Sequence, residues 1–429
     1  MASSLFRNGE FRSFLLANVV ERFAAAGMTV LLGFQVYDLT KNPLDLGWLG
    51  LIEAIPALTL VLYGGHIADW HSRRRIILST VAMLTLMAVL VAVLSSFGGG
   101  GLLYTLFAVA FVSGSVRAFQ SPAAAGVQAQ VVPANEAVNG VALLATTGRV
   151  ADICGPVVVG FTWAAIGPTG TYAAIAALFG LSLLPIWLGI AERPLQLQRV
   201  GENIGARRRI VEGLRYVFSD QILAGSMALD LFAVFFGGAT ALLPIFATDI
   251  LHVGPVGFGF LRAASAAGAL GAAMLASRFL PQHKAGRVLH WIIAGFGLSI
   301  IAFGLSENIF ISLIALFLSG VCDGLSMVIR HSIMRLVSPE ELRGRIAAVR
   351  MVFVGSSNEL GALESGVAAS AFGAAAATWL GGVVTLGVVA IVYWRAPQLR
   401  NLDLAALAKS GPKPASAAPT ASTVAAQAG

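Results

Sequence analysis

Twelve runs of about twenty predominantly apolar residues, separated by short polar or turn-forming breaks, constrain this chain more than any other feature. A hydrocarbon slab of about 30 Å is spanned by about 20 helical residues, and inside it every backbone N–H and C=O must find its partner within the protein. The runs cover residues 13–37, 46–67, 76–97, 102–125, 139–164 and 171–190, then 222–247, 256–278, 288–305, 309–333, 346–371 and 375–394. They are numbered here as spans 1 to 12. Composition agrees, since 57% of the 429 residues are hydrophobic and 11% are charged, which is too much apolar surface for one water-soluble core. The expected fold class is an all-α membrane protein. Arg7 and Arg12 ahead of the first run suggest a secretory signal, but Glu21 and Arg22 lie inside that run and no small-residue cleavage site follows. Cys154 and Cys322 form neither a disulfide framework nor a zinc spacing, so both read as small packing residues and no metal or cofactor is expected.

Lys and Arg are sorted by side. With the N-terminus in the cytoplasm, 21 of the 28 fall in cytoplasmic segments and Lys41 alone falls outside. The other six, Arg22, Arg117, Arg149, Arg262, Arg330 and Arg350, lie within spans. The positive-inside rule then places both termini in the cytoplasm, the inner membrane being the expected location. The net charge of +7 is a topology signal, and no nucleic-acid partner is expected. The longest break divides the chain into a six-helix half over 1–191, a basic cytoplasmic linker over 192–221, a second half over 222–395 and a cytoplasmic tail over 396–429. In the linker Ile210, Val211, Leu214 and Val217 among arginines suit either an amphipathic helix on the anionic leaflet or a solvated basic segment. The Ala, Pro, Ser and Thr composition beyond Asp403, with nothing large to bury after Leu407, predicts a largely disordered tail.

Thirteen formal charges lie within spans: the six arginines with Glu21, Glu53, Asp152, Asp230, Asp323, Glu359 and Glu364. A charge facing lipid is costly, so each should face the bundle interior, a partner or a water-filled cavity. They occupy spans 1, 2, 4, 5, 7, 8, 10 and 11, leaving every third span bland. That pattern is what two halves of paired three-helix repeats require, with the third helix peripheral. Arg149 and Asp152 are three apart and Asp323 and Arg330 seven apart, so each pair shares a helix face and reads as an ion pair, as do the adjacent Glu21 and Arg22. Glu359 and Glu364 have no Lys or Arg within a turn on their own helix, so their charge is met across helices or by protonation.

The segment after span 2 reads Gly64-Gly65-His66-Ile67-Ala68-Asp69-Trp70-His71-Ser72-Arg73-Arg74-Arg75. With Gly65, Asp69, Arg73 and Arg74 in place it resembles the loop signature of the major facilitator transporters, departing from it at Trp70 and Ser72. The glycine would permit close helix approach, and the carboxylate beside a basic cluster would form a breakable cytoplasmic latch. The resemblance narrows to the enterobactin-exporter-like and macrolide-efflux-like branch through four segments: 35–40 (QVYDLT), 117–123 (RAFQSPA), 338–345 (SPEELRGR) and 357–361 (SNELG). Span 5 adds Gly155-Pro156 with Gly160, similar to the motif of proton antiporters, although Val159 replaces one of its final small residues.

The resemblance implies export of a small amphipathic molecule, of the siderophore or macrolide and drug class, by a monomer working through alternating access and proton antiport. Uptake on the same fold is the alternative; a membrane sensor is a third class. No phosphate-binding Gly-rich loop ending in Lys-Ser/Thr and no paired histidines at ligand spacing occur, so an ATP-driven pump or a metalloenzyme lacks its residues. Cavity candidates by span are Asn18, Glu21, Arg22, Arg117, Arg149, Asp230, Arg330 and Asn358, with Phe23, Phe235, Phe236 and Phe353 as aromatics. Proton-coupling candidates are Glu359, then Glu364, Asp152 and Asp323. Glu359 leads because Asn358 and Gly361 give it polar, close surroundings, and because five residues, about 140° of helix, separate it from Glu364, so only one of the two can face a cavity.

Overall fold

The computed structural model describes residues 5–97, 101–193, 206–279 and 283–410, and every regular element among them is helical. In chain order the helices are α1 (Gly9–Thr40), α2 (Pro43–Thr59), α3 (Val61–Trp70), α4 (Arg73–Phe97), α5 (Leu102–Val131) and α6 (Ala137–Gly189). They continue with α7 (Ala206–Ser219), α8 (Gln221–Phe236), α9 (Gly254–Phe279), α10 (Ala285–Gly304), α11 (Ile309–Val337), α12 (Arg343–Phe372), α13 (Ala374–Arg395) and α14 (Leu404–Ser410). Boundaries follow local chemistry. Asn8 and Asn42 cap α1 and α2 by accepting backbone N–H bonds, and Asp220 and Asn308 do the same for α8 and α11. Proline at N1 of α2 needs no donor there.

Nine helical segments among the described residues are long and apolar enough to cross a membrane, ten if α2 and α3 are one broken span. The α6 segment is 53 residues, about 80 Å of helix, and so too long for a single pass. It breaks at Gly167, whose φ of 69° is open to glycine, followed by Pro168. Span 7 is interrupted as well: α8 ends at Gly237, and a 3-10 turn (Ala239–Leu242), one α turn and a π turn (Phe246–Ile250) complete it. The α12 segment is of spanning length but carries Arg343, Arg345, Arg350, Glu359 and Glu364.

The exposed surface of the bundle is apolar. Trp70, Trp187, Trp291 and Trp394 are exposed at the helix ends on the side of the chain termini, as an interfacial aromatic belt requires. Two buried clusters hold the interior. The larger joins the first six-helix set (Phe11, Leu31, Leu106, Phe179) to Leu242, Phe246, Phe258 and Phe303 of the second, at the end remote from the termini. The smaller, with Leu229, Leu289, Ile333 and Leu399, lies within the second set.

Two expectations, for the linker and for the tail, change. Val217 of α7 is buried and Leu214 packs against the smaller cluster, while Glu212 pairs with Arg345 of α12, so this end of the linker helix docks on protein. Ordered chain also runs past Arg395 into the region expected to be largely disordered. Leu399, Leu402 and Leu404 are buried, Gly286 N–H donates to Leu402 O, and Asp403 caps α14. Three leucines spaced along a short segment find a groove on the second half that composition averaging could not reveal. Residues 411–429, like 194–205, lie outside the described residues.

Candidate functional site

A cavity of about 930 Å³ lies between the two six-helix sets. Lining residues from the first set reach from Asn18 and Arg22 on α1, through Glu53 on α2 and Arg117 on α5, to Asp152 on α6. The second set contributes Thr240 and Pro244 from the irregular stretch of span 7, Arg262 from α9, and Asn358 and Glu359 from α12. Breaking the helix at Gly237 turns this stretch toward the cavity, the use to which interrupted spans are commonly put.

Its charges are neutralised mostly across helices. Gly114 lets α5 close on α2, since a Cβ there would overlap the Glu53 carbonyl oxygen, and Arg117 three residues on then meets the Glu53 carboxylate. Arg117 Nη1 is also 3.8 Å from Glu359 Oε1, a link between the two halves. Arg262 lies within electrostatic reach of Asp152 and Glu359. Glu21 and Gln120 both line the cavity, and Gln120 and Arg22 stand near the Glu21 carboxylate.

One end of the cavity is shut by close contact. A Cβ on Gly160 would lie 2.5 Å from Pro255 O, one on Gly259 2.5 Å from Pro156 O, and one on Gly366 2.9 Å from Gly47 Cα. These glycines bring α6 against α9 and α2 against α12 at backbone distance. The Tyr37 hydroxyl donates to Asp249 across the same end, and Phe34 packs on Trp163 and Phe258, with ring centroids 5.2 and 5.5 Å apart.

Residues 2–425 match the major facilitator family described as transmembrane secretion effector. The chain belongs to the major facilitator superfamily. This facilitator is 28% identical over 369 residues to the multidrug efflux pump Tap of Mycobacterium tuberculosis, covering 82% of this chain and 84% of Tap. It is 21% identical over 389 residues to the enterobactin exporter EntS of Shigella flexneri, covering 89% and 91% of the two chains. Among solved structures, a D-xylose-proton symporter superposes with a TM-score of 0.69 at 14% identity over 92% of this chain and 99% of its own. A POT family transporter in complex with 5-aminolevulinic acid superposes with a TM-score of 0.71 at 12% identity, covering 91% and 96%. The facilitator is thus a multi-pass membrane transporter of small molecules, not an enzyme.

Among the site residues expected from sequence, Asn18, Glu21, Arg22, Arg117, Asp152, Asn358 and Glu359 line the facilitator's cavity. Glu364 is half-buried on α12 and is not part of that lining, nor are Phe23, Phe235, Phe236 and Phe353. Asp230 and Arg330 sit instead in a small pocket within the second set, where they form a buried ion pair and Asp323 stands 3.7 Å from Arg330 Nη2. Two of the expected intrahelical ion pairs do not form. Arg149 makes no ion pair with Asp152; it acts electrostatically on Asp323, and Asp152 on Arg262, because docking of the halves brings α6 against α9. Glu21 and Arg22 point about 100° apart on α1 and make no ion pair, although Arg22 stays within electrostatic reach of Glu21.

In the loop signature, Gly65 has open space around it, and Gly64 is the glycine that abuts Ala118 O. Arg73 and Arg74 donate to the backbone carbonyls of Gly126, Ile186 and Trp187, and Asp69 is exposed without an ion pair among the described residues. Gly155 abuts Phe23 O, Pro156 and Gly160 form the α6–α9 contact, and Gly27 of α1 makes room for Val159. Cys154 is exposed, not packed, and Cys322 is partly buried. Sequence reasoning noted Glu53 and Arg262 as intramembrane charges without assigning them to the cavity, and overlooked Gln120 and Gln128; charge within a span was the available signal for the first two.

Proposed function

We propose that this protein exports a small amphipathic molecule from the cytoplasm by alternating access coupled to proton antiport. In this reading all twelve sequence-predicted spans cross the inner membrane, both termini are cytoplasmic, and a monomer suffices. Support for the direction comes from relatives named as an efflux pump and an exporter, and from the excess of Lys and Arg on the side of the termini. With that orientation the shut end, at Tyr37, Gly160 and Gly366, faces outward, and the cavity is positioned to load from inside.

The observation that carries the coupling is Glu359, a carboxylate of one half held toward Arg117 of the other across the cavity. A ligand shifts a two-state equilibrium only through a different interaction with each state. Protonating Glu359 removes its attraction to Arg117 and Arg262, so proton occupancy changes the energy of this inter-half arrangement and leaves an opposed one untouched. Glu53 keeps Arg117 compensated meanwhile.

The test is accumulation of erythromycin, a catecholate siderophore and a cationic dye in a deletion strain and its parent, with and without a protonophore. At least one should accumulate more in the deletion strain, and the protonophore should abolish the difference. Glu359→Gln should stop uphill efflux and preserve downhill counterflow in proteoliposomes. Equal accumulation in both strains for all three compounds sinks the exporter reading, while uphill, protonophore-sensitive efflux at parental rate by Glu359→Gln removes Glu359 from the proton path, and the same result in Glu364→Gln as well removes helix α12 from it.

A further inference from the structure

The cavity holds three arginines, and they are not in the same situation. Arg117 has the Glu53 carboxylate on one side and Glu359 on the other. Arg262 sits in the field of Asp152 and Glu359. Arg22 also lines the cavity and is exposed to it, yet forms no ion pair among the described residues. Its neighbour Glu21 also lines the cavity and lies within electrostatic reach of Arg22, but no ion pair joins the two.

Space has been cleared for that guanidinium. Gly148 of α6 faces it, and a Cβ there would collide with Arg22 Nη1. Asn18 stands four residues earlier on α1, hence on the same face, and also lines the cavity. A side chain of five N–H donors that makes no ion pair inside a membrane protein is costly unless something else meets its charge. Planar oxyanions meet it best, because two parallel N–H···O bonds match the guanidinium fork.

We infer that Arg22 is the anion-binding residue of the cavity, and that the cargo is an amphipathic organic acid whose carboxylate or comparable oxyanion Arg22 grips, with the Asn18 amide one turn away. This inference rests on the exporter reading. Met28, Leu32, Leu144, Phe179 and Phe258 supply apolar wall for the rest of the molecule. Arg117 is unsuited to the same task, since the cargo would have to displace the Glu53 carboxylate from it, and Arg262 already lies in the field of two carboxylates, Asp152 and Glu359.

The experiment compares acids with their own neutral esters, so that only the charge changes. Binding of 2,3-dihydroxybenzoylserine and amphipathic aryl carboxylates, each beside its methyl ester, is measured on the purified full-length protein by calorimetry, with erythromycin and tetraphenylphosphonium alongside. At least one acid should bind about ten- to a hundredfold more tightly than its ester, the range expected for hydrogen bonds to a charged partner. Arg22→Gln should bring acid and ester to within about twofold by weakening the acid. Arg22→Lys, which keeps the charge and loses the fork, should retain a reduced preference and serves as the folded control if the glutamine variant unfolds. Equal binding of acid and ester by the parent, an undiminished acid preference in Arg22→Gln, or failure of every acid to bind overturns the inference. The exporter reading is judged separately: erythromycin efflux by a protein that binds no acid sinks only the anion site, and acid binding with no efflux of any compound sinks only the exporter reading.

Discussion

Gly160→Ala should open the shut end of the cavity. The added methyl would lie 2.5 Å from Pro255 O, about 0.9 Å inside ordinary van der Waals contact, and the obstructing atom is backbone that cannot rotate aside. Either α6 and α9 separate or the closed state carries the strain. Overpacking of this kind costs about 1–3 kcal/mol, which multiplies the ratio of open to closed by about 5 to 150. An outward-open conformer at about 1% would rise to between about 5% and 60%. Spin labels at Asp38 and His252, which flank the Tyr37–Asp249 contact, report the change by pulsed electron resonance after Cys154 and Cys322 are replaced with alanine. A longer-distance population should appear in Gly160→Ala and also in Gly259→Ala, where the clash with Pro156 O has the same size. If both variants fold with the parental distance distribution, the glycines are filler and the shut end is held by something else.

Asp230→Ala should lower stability by about 3–5 kcal/mol, at the lower end because Asp323 is close enough to meet part of the Arg330 charge; denaturant titration in detergent reads the loss, and a cost under about 1 kcal/mol would contradict burial of the pair. Asp69→Asn should slow transport at saturation and leave cargo affinity nearly unchanged, because Asp69 is exposed and outside the cavity lining; a large affinity loss with normal turnover reverses that assignment. The Asp403 carboxyl is held below its usual range by its hydrogen bond with His283 and by the Ala405 and Ala406 N–H groups it caps. A depressed carboxyl stabilises the folded form above the unfolded value of about 4 and loses that contribution as pH falls through its lowered folded value. Hydrogen exchange over Leu404–Leu407 should therefore rise on acidification below about pH 4 and at neutral pH in Asp403→Ala, which removes the cap, and protection that is flat in both would show that the cap does not hold α14.

Much of the architecture was legible in sequence, because lipid imposes a length and a polarity on each helix that packing details cannot override. The break between spans 5 and 6, the sorted Lys and Arg, and the loop and span-5 motifs are local in the chain and needed no docking to be read, whereas span 7 read as one continuous run and its interruption at Gly237 is seen only in the structure. Charge in a span identified Arg117, Asp152 and Glu359 as residues that had to face something other than lipid. What each one faces was decided by tertiary structure. Spacing along one helix favoured Arg149 with Asp152, but docking of the halves puts Asp323 within electrostatic reach of Arg149 and Arg262 within that of Asp152. Likewise Glu359 and Glu364 differ little as letters, and only the crossing of α2 with α12 at Gly47 and Gly366 turned Glu359 to the cavity. Helical periodicity fixes which residues share a face; the partner of that face belongs to another helix, hundreds of residues away, and no local pattern encodes it.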